Sequence, residues 1–436
     1  NTVITFDAVT DTYLGSVPIR VGQPGYGFTG DCAITTDGTR GFVTGGDGTV
    51  WVIDITTIPP TLDPGTNPIT ISNRGKDITI TPDQKFLLVT GGTLLTPISV
   101  IDIASRSEIG TFSLGHDHNS IEALSDDSVL VTSSHSGNVY RLTIDGAGNL
   151  TNTGEVLYSG GSGPDLGPNN VFGDLDAASG VVVRRKANEI RSFTIPGLNL
   201  IDVRPISGLG LSGLVNASGD HVYVRSNNIG DGNVDVFEYD ATTGKLGSSP
   251  LFVIPVFGAK AFYGMDQMAI SPDGAKLYVS EWTGELTVYD AVTGNLLTAI
   301  TGVAISRPTG VCLPMPVVQE IEIDIKPGSD PNSINCQNEK GVITVAVLTT
   351  SDFDATTVDH ATVTFEGASE IHVDKRSGEP RRHEEDVDRD GDGDLVFHFR
   401  LGDTSLTCES TEGILTGATA GGVSFEGVDA VRMVNR

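Results

Sequence analysis

Residues 268–300 read MAISPDGAKLYVSEWTGELTVYDAVTGNLLTAI, and this stretch decides the fold. It contains four short β-type runs that alternate with turns rich in Asp and Gly, the first of which is Ser271-Pro272-Asp273-Gly274. Runs and turns in this order predict one antiparallel sheet of four strands. A single sheet of this kind has two faces and cannot bury both, so it requires neighbours of the same kind.

The corner that follows the third run recurs along the chain. An apolar residue precedes each corner, and the corners are Asp7, Asp54, Asp102, Asp145, Pro196, Asp240 and Asp290. Successive corners are 43 to 51 residues apart. A period of this length with four strands per unit is typical of a β-propeller blade, so the sequence predicts an all-β chain with a seven-bladed β-propeller.

The two ends of the repeat region are predicted to share one blade. Residues 1–18 read NTVITFDAVTDTYLGSVP and contain the same D-A-V-T corner as residues 284–300, so they correspond to a third and a fourth strand. Residues 311–313 would supply the first strand, and a shared blade removes two exposed sheet edges. Two hypotheses remain for the second strand: residues 317–325 fill the gap, or another copy of the chain donates a strand.

The four cysteines allow three pairings. Cys32 and Cys312 lie on equivalent innermost runs of the first and last blades, which ring closure brings together, so a Cys32–Cys312 disulfide is predicted. Cys336 and Cys408 then pair within the remaining segment. Four buried free thiols are the alternative, but disulfides and an oxidising, extracytoplasmic compartment are favoured.

The charge of the chain restricts its partners. The formal net charge is −29, with 56 Asp and Glu residues against 27 Lys and Arg residues. This balance argues against nucleic acid and anionic lipid surfaces as partners and favours cations. The absence of 18 consecutive apolar residues argues against a transmembrane segment, and a start at Asn1 in a strand-like run is expected of a mature, secreted chain.

The β-propeller is expected to occupy residues 1–316. The repeat stops near residues 314–319, where proline is frequent, and short β-type runs without helical periodicity follow. These runs predict a C-terminal β-sandwich-like domain over residues 317–436.

A strong metal-binding motif lies in this C-terminal segment. In the nine-residue segment 386–394, every second position is an aspartate and the sixth residue is Gly391. The aspartates are Asp386, Asp388, Asp390, Asp392 and Asp394. The series matches the first nine positions of an EF-hand-type calcium loop, and hard oxygen ligands suit calcium. The twelfth position is Phe397 instead of the usual Glu. A solvated acidic loop is the alternative, but the motif leads directly into an apolar strand, so we expect a structural calcium ion.

The propeller region offers weaker candidates for chemistry. His116, Asp117, His118 and His135 combine imidazole and carboxylate groups that suit a transition metal, although a polar surface loop is the favoured interpretation. The innermost runs are mostly apolar, and the acids on or beside them are isolated: Glu122, Asp174 and Asp266.

Two family resemblances accompany these motifs. The segment SPDGAKLYV at 271–279 resembles the YVTN-type β-propeller repeats of microbial surface proteins, over about residues 1–316. The segments IDIKPGS at 323–329, GVITVAVL at 341–348, DFD at 352–354, EDVD at 385–388 and LVFHFR at 395–400 resemble a C-terminal β module of secreted bacterial and archaeal proteins. These resemblances imply an extracellular or cell-surface location and calcium binding.

Together these features predict a non-enzymatic, calcium-stabilised extracellular scaffold for attachment or self-assembly. A filament or surface layer built from copies of the chain is one form of it. Two alternatives belong to other functional classes. One is a propeller enzyme of the lactonase or lyase type, which requires a cluster of acids or histidines near the innermost runs. The other is a receptor for a glycan or a protein ligand.

Overall fold

Strands form nearly all the regular structure of the computed structural model. It describes residues 2–19, 31–91, 95–125, 127–133, 135–158, 168–173, 178–184, 187–216, 218–227, 232–256, 268–281, 285–300, 310–314, 318–351, 353–372, 383–419 and 424–434. Two single-turn 3-10 helices, Ala355–Thr357 and Leu401–Asp403, interrupt the strands. The chain divides into unit 1, Asn1–Met315, and unit 2, Pro316–Arg436, one residue from the expected domain boundary.

The described part of unit 1 contains seven antiparallel sheets, numbered here in chain order. Sheet 1 pairs β1 (Thr2–Asp7) with β2 (Thr12–Pro18). Sheet 2 contains β3 (Cys32–Ile34), β4 (Arg40–Thr44), β5 (Thr49–Asp54), β6 (Thr61–Leu62) and β7 (Ile69–Thr70). Sheet 3 contains β8 (Ile78–Ile80), β9 (Phe86–Val89), β10 (Ile98–Asp102) and β11 (Ser107–Phe112).

The remaining sheets of unit 1 repeat this order. Sheet 4 contains β12 (Ile121–Ala123), β13 (Ser128–Ser133), β14 (Asn138–Ile144) and β15 (Leu150–Tyr158), and sheet 5 contains β16 (Pro168–Gly173), β17 (Ser179–Arg184), β18 (Glu189–Thr194) and β19 (Leu200–Pro205). Sheet 6 contains β20 (Leu209–Val215), β21 (His221–Asn227), β22 (Gly232–Asp240), β23 (Lys245–Leu246) and β24 (Phe252–Val256). Sheet 7 contains β25 (Met268–Ile270), β26 (Lys276–Ser280), β27 (Leu286–Asp290) and β28 (Leu296–Ile300).

The corner aspartates end the third strand of their sheets because their side chains fold the next residues into a turn. Asp290 Oδ1 accepts hydrogen bonds from the amides of Val292 (3.1 Å) and Thr293 (2.7 Å). These hydrogen bonds hold the pKa of Asp290 below its ordinary value. A carboxylate that accepts such bonds closes a tight turn without help from distant parts of the chain.

Apolar cores lie between neighbouring sheets in cyclic order. Separate clusters of buried side chains join sheet 2 to sheet 3, sheet 3 to 4, 4 to 5, 5 to 6 and 6 to 7. Two further clusters join sheet 7 to sheet 1 and sheet 1 to sheet 2. Each sheet therefore buries both faces against its neighbours, as the sequence predicts.

A disulfide lies where the two ends of unit 1 meet. Cys32 of β3 is bonded to Cys312, which confirms the predicted pairing. Beside it, Gly310 approaches sheet 2 so closely that an added Cβ would lie 2.9 Å from Asp31 Oδ1. Described residues 310–314 contain no strand, which differs from the predicted first strand at 311–313.

Unit 2 contains strands β29 to β39. In chain order they are Val318–Ile321, Ile323–Ile325, Ser333–Asn335, Val342–Val347, Val358–Phe365, Ala368–Ser369, Glu384–Glu385, Asp394–Arg400, Glu412–Thr419, Ser424–Ala430 and Arg432–Val434. One sheet has the order β29-β38-β37-β33-β34, a second has β30-β32-β36-β35, and β31 pairs with β39. Their apolar core contains four fully buried phenylalanines, Phe365, Phe397, Phe399 and Phe425.

The strand pairing and the disulfide bond of unit 2 decide two predictions about this region. Strand β29 pairs in parallel with β38, so the hypothesis that residues 317–325 fill the shared blade is wrong. Strand donation by another copy stays a prediction. Cys336 is bonded to Cys408, as predicted.

No helix among the described residues has the length and apolar character to cross a membrane.

Candidate functional site

The first strands of the sheets in unit 1 run side by side in the same direction. They contact each other in the order β3, β8, β12, β16, β20 and β25. Side-chain acceptors on or directly before one first strand accept hydrogen bonds from amides of the next: Asp77 Oδ2 from Ile121 N at 2.8 Å, Ser120 Oγ from Val171 N at 3.3 Å, and Asn170 Oδ1 from Gly213 N at 3.0 Å. These polar side chains therefore join neighbouring sheets, which gives them a structural role.

Most buried charged side chains in the described part of unit 1 lie near one end of the sheets. We call it the polar end; it is the end at which the first strand of each sheet begins and the second strand finishes. It carries Asp31, Asp77, Asp117, His118, Arg184, Arg225, Asp235 and Glu281, whereas Asp63 lies elsewhere. Burying charge costs free energy unless the group is paired, so a concentration of such groups at one end marks a candidate functional face.

Glu281 combines burial with an unsatisfied carboxylate oxygen. Its residue is only 1% exposed, directly after strand β26 at the polar end. Oε1 accepts a hydrogen bond from Thr287 Oγ1 at 3.0 Å, and the backbone amide donates to Glu285 O at 2.8 Å. Among the described residues, Oε2 is buried and has no hydrogen-bond partner. A buried acceptor of this kind is costly and calls for a functional explanation.

The electrostatic surroundings of Glu281 suit proton transfer near neutral pH. Burial raises the pKa of Glu281 to about 7, although the Arg225 guanidinium opposes this shift. Arg225 donates a hydrogen bond to Ser280 O at 2.7 Å, and burial lowers its own pKa only to about 10, so it stays cationic. A carboxyl with a pKa near the working pH can act as a general acid or base, and a fixed cation can stabilise developing negative charge.

Asp235 is a second buried carboxylate with an unpaired oxygen at the polar end. Its Oδ2 accepts hydrogen bonds from Ser207 N (3.0 Å), Ser207 Oγ (2.9 Å) and Ser226 Oγ (3.2 Å). Oδ1 has no partner among the described residues. Three hydrogen bonds hold this carboxylate within sheet 6 and the turn before it, so Glu281 is the better candidate for a reacting group.

The histidines predicted as a possible metal site have other partners. His118 is fully buried, contrary to the interpretation as a surface loop, and its Nδ1 lies 2.8 Å from Thr96 O. Its Nε2 accepts a hydrogen bond from the amide of Leu114 at 3.3 Å. Asp117 Oδ1 accepts bonds from Ser133 Oγ and His135 N. Both nitrogens of His118 are thus used within the fold. Of the predicted acids, Glu122 is half-buried on β12, whereas Asp174 and Asp266 lie outside the described residues.

Glu281 and Arg225 were not predicted as functional residues from the sequence. Arg225 interrupts the apolar run of β21, and Glu281 directly follows the apolar run of β26. A charge inside or directly after a strand that is otherwise buried is an available signal in the sequence. The partners of that charge lie on another sheet, so the signal alone does not reveal them.

The aspartate loop of unit 2 brings three of its five predicted carboxylates together. Oxygens of Asp386, Asp388 and Asp394 lie within 4.8 Å of one another, a group that includes neither Asp390 nor Asp392. Asp394 is fully buried at the start of β36. Its oxygens accept hydrogen bonds from the amides of Thr349 (2.9 Å) and Val387 (2.8 Å), which fixes one end of the loop to the sheet.

The other aspartates shape the loop itself. Asp388 Oδ1 accepts a bond from Asp390 N, and Asp390 Oδ1 accepts one from Asp392 N, both at 3.1 Å. Gly391 has φ +104°, which side chains disfavour, so glycine is needed at this sharp turn. Burial and the nearby Asp390 carboxylate raise the pKa of Asp392 to about 6. Carboxylates held this close repel one another, and the donor set fits a hard cation such as calcium.

Comparisons with known proteins support the propeller-like architecture. No family model and no curated protein matches the sequence. A functionally unknown protein from Desulfotomaculum acetoxidans DSM 771 is 24% identical, and the match covers 70% of this chain and 96% of that one with a TM-score of 0.57. The periplasmic gluconolactonase of Pseudomonas aeruginosa is 14% identical, with 71% and 93% covered and a TM-score of 0.54.

A third solved structure extends this comparison. A putative 6-phosphogluconolactonase from Bacteroides fragilis NCTC 9343 is 15% identical, with 68% of this chain and 88% of that one covered and a TM-score of 0.53. At these identities the likeness shows the fold, which is all-β and β-propeller-like, as the sequence predicts.

The predicted absence of enzyme activity is contradicted by these comparisons. The sequence analysis favoured a non-enzymatic scaffold for attachment or self-assembly, whereas proteins described as lactonases share this fold over most of their length. That expectation rested on the innermost strands, on or beside which a cluster of acids or histidines was sought. The buried charged residues Arg225 and Glu281 instead lie on or directly after second strands of the sheets.

Proposed function

We propose that unit 1 is a seven-bladed β-propeller hydrolase of the lactonase type, with its reaction site at the polar end. The cyclic packing of the seven sheets supports the blade number. The fold shared with a gluconolactonase and with putative 6-phosphogluconolactonases supports the reaction class. The observation that carries the proposal is the buried carboxyl of Glu281. One of its oxygens has no hydrogen-bond partner within the described ranges, its pKa is raised to about 7, and the Arg225 guanidinium is nearby.

The chemistry assigns one role to each of these two side chains. Glu281 takes a proton from a water molecule as that water attacks the carbonyl carbon of a cyclic ester. The Arg225 cation lowers the energy of the negative charge that forms on the carbonyl oxygen. The ring C–O bond then breaks, the ring oxygen receives the proton, and the product is the open hydroxy acid.

The test is hydrolysis of glucono-1,5-lactone by the full chain, measured above the spontaneous rate. We expect Glu281→Gln to reduce kcat by about 10²–10⁴-fold, the usual contribution of general base catalysis. Glu238→Gln is the matched control because this glutamate of sheet 6 is exposed, and it should retain activity within about twofold.

Two results would overturn this proposal. One is a wild-type rate equal to the spontaneous rate with both five- and six-membered sugar lactones. The other is a Glu281→Gln variant that folds normally and remains fully active, because the carboxyl would then have no part in the reaction.

We also propose that unit 2 is a β-sandwich-like module that holds a calcium ion. Asp386, Asp388 and Asp394 would supply the ligands, and Asp390 and Asp392 add negative charge around them. The ion would offset their repulsion and fix the loop between β35 and β36. We further propose the two family assignments: unit 2 belongs with the C-terminal module of secreted proteins, and unit 1 belongs with the YVTN-type repeats.

The two disulfides indicate an oxidising compartment. We propose a location outside the cytoplasm, either extracellular or periplasmic. The substrate would be a small sugar-acid lactone, and no nucleic-acid partner is expected because of the formal net charge of −29.

A further inference from the structure

A group of four metal-ligating side chains lies on unit 2, separate from the aspartate loop. Glu370 follows β34, and His372 lies two residues further along the chain. His383 directly precedes β35, and His398 lies on β36. Three segments of the chain thus bring one carboxylate and three imidazoles to one place.

The distances within this cluster suit coordination of one shared metal ion. Potential ligand atoms of Glu370, His372 and His398 lie within 4.8 Å of one another. His383 Nε2 lies 2.6 Å from His372 Nδ1, and the His372 ring centroid is 5.6 Å from that of His398. Two nitrogen ligands of one tetrahedral zinc ion are roughly 3.3 Å apart, given Zn–N bonds of about 2.0 Å. Small side-chain adjustments would therefore place an ion among these atoms.

Buried polar atoms in the cluster lack partners. The Glu370 side chain is 2% exposed, and its Oε1 accepts a hydrogen bond from His398 N at 3.0 Å. Glu370 Oε2 and His398 Nδ1 are both buried without a hydrogen-bond partner among the described residues, and His398 Nδ1 lies 3.6 Å from Glu370 Oε1. An unpaired buried carboxylate oxygen beside an unpaired imidazole nitrogen is costly, and coordination to a cation would satisfy both atoms.

We propose that Glu370, His372, His383 and His398 form a binding site for a divalent transition-metal ion, with zinc as the expected ion. Imidazole nitrogen is a preferred ligand of zinc, whereas calcium takes oxygen ligands. Together with the proposed calcium site, unit 2 would thus carry two chemically different cation sites at different positions along β36. Asp394 begins this strand at the aspartate loop, and His398 lies four residues further on.

The experiment is calorimetric titration of the metal-free full chain with zinc in saturating calcium, which keeps the aspartate loop occupied. We expect one equivalent of zinc to bind to the wild type, and at least tenfold weaker binding to His398→Gln and to Glu370→Gln. His221→Gln is the matched control, because this histidine of unit 1 pairs with Asp220 and lies outside the cluster. Its zinc affinity should equal that of the wild type.

Two further measurements keep the test decisive if a variant fails to fold. Cobalt bound to the wild type should give the strong visible absorption of a four-coordinate site with nitrogen ligands. Asp388→Asn in the aspartate loop should leave zinc binding unchanged. Failure of the wild type to bind zinc and cobalt would overturn the proposal, as would equal loss in His221→Gln, or loss in Asp388→Asn.

Discussion

Two buried carboxylates at the polar end, Asp77 and Glu281, differ in how many of their oxygens have hydrogen-bond partners. Asp77 accepts bonds from its own neighbour Ile78 and from Ile121 of the next sheet, so both of its oxygens serve the fold. Glu281 uses one oxygen for Thr287, and its other oxygen has no partner in the part of the chain that the structure describes. The number of satisfied oxygens, more than burial itself, therefore separates a structural carboxylate from a candidate reacting group.

The raised pKa of Glu281 predicts a pH dependence of stability. Its value of about 7 in the folded chain lies above the ordinary 4.5, so the folded state binds the proton more tightly than the unfolded state does. The contribution of this group is fully present below about pH 4.5 and is lost as pH rises through about 7. In Glu281→Gln, this part of the pH dependence should be absent.

Urea denaturation at several pH values between 4.5 and 8 measures this effect. Tryptophan fluorescence reports on unit 1 alone, since both tryptophans, Trp51 and Trp282, lie there. Glu238→Gln, at an exposed position of β22 in unit 1, serves as the control and should keep the wild-type pH dependence. Identical profiles for wild type and Glu281→Gln would contradict the assignment of this pKa.

The candidate functional residues were harder to predict from the sequence than the turns. The corner aspartates were found because the turn depends on the residue and its next three neighbours. Glu281 could not be assigned, because its burial next to Arg225 depends on how sheets 6 and 7 pack. The histidine cluster was missed for a similar reason, since its members are spread over residues 370–398.

Short polar segments connect neighbouring strands of unit 2 and fix their ends by hydrogen bonds. The aspartate loop is one such segment. Asp394, the first residue of β36, accepts hydrogen bonds from the amide of Thr349, two residues after β32, and from the amide of Val387 within the loop. The remaining carboxylates have no positive charge of their own loop to balance them except Arg389. Formation of the loop should therefore depend on a cation.

Calcium is predicted to raise the melting temperature of unit 2. A ligand present at about 100 times its Kd stabilises the folded state by about 2.7 kcal/mol, which corresponds to a shift on the order of 10 °C for a domain of this size. Differential scanning calorimetry with calcium and with excess chelator measures the shift. Asp388→Asn should lose most of it, whereas Glu285→Gln in unit 1 should retain it. Equal melting temperatures in calcium and chelator would rule out the site.

At the element scale, local pairing was predictable and distant pairing was not. The four-strand repeat was read correctly because each strand of unit 1 pairs mainly with a strand next to it along the chain. Strand β29 instead pairs with β38, roughly a hundred residues later, and this parallel pairing leaves no local turn signal. That difference explains why the expected use of residues 317–325 was wrong.

The whole of unit 1 is closed by contacts between its two ends. Sheet 1 comes from the start of the chain and packs on sheet 7, which comes from the end of the unit. The same closure brings Cys32 and Cys312 together across a sequence separation of 280 residues. Cysteine positions in the repeat were enough to predict this bond, because equivalent positions in a ring lie at equivalent places in space.

Removal of this disulfide is predicted to destabilise unit 1 selectively. Cross-linking so long a segment restricts the unfolded chain, and the chain-entropy relation gives an upper value of about 5.6 kcal/mol. Cys32→Ser with Cys312→Ser should therefore lower the urea midpoint seen by tryptophan fluorescence. The matched control, Cys336→Ser with Cys408→Ser, removes the bond of unit 2 and should leave that midpoint unchanged. The opposite pattern would contradict the division into two units.

The position of the Cys32–Cys312 bond also affects how the protein tolerates proteases. Any single backbone cleavage between these residues yields two fragments that remain covalently linked. Such nicked molecules migrate as one species on a non-reducing gel and separate only after reduction. At the proposed location outside the cytoplasm, the bond would keep the two fragments together after a protease cleaves one surface turn.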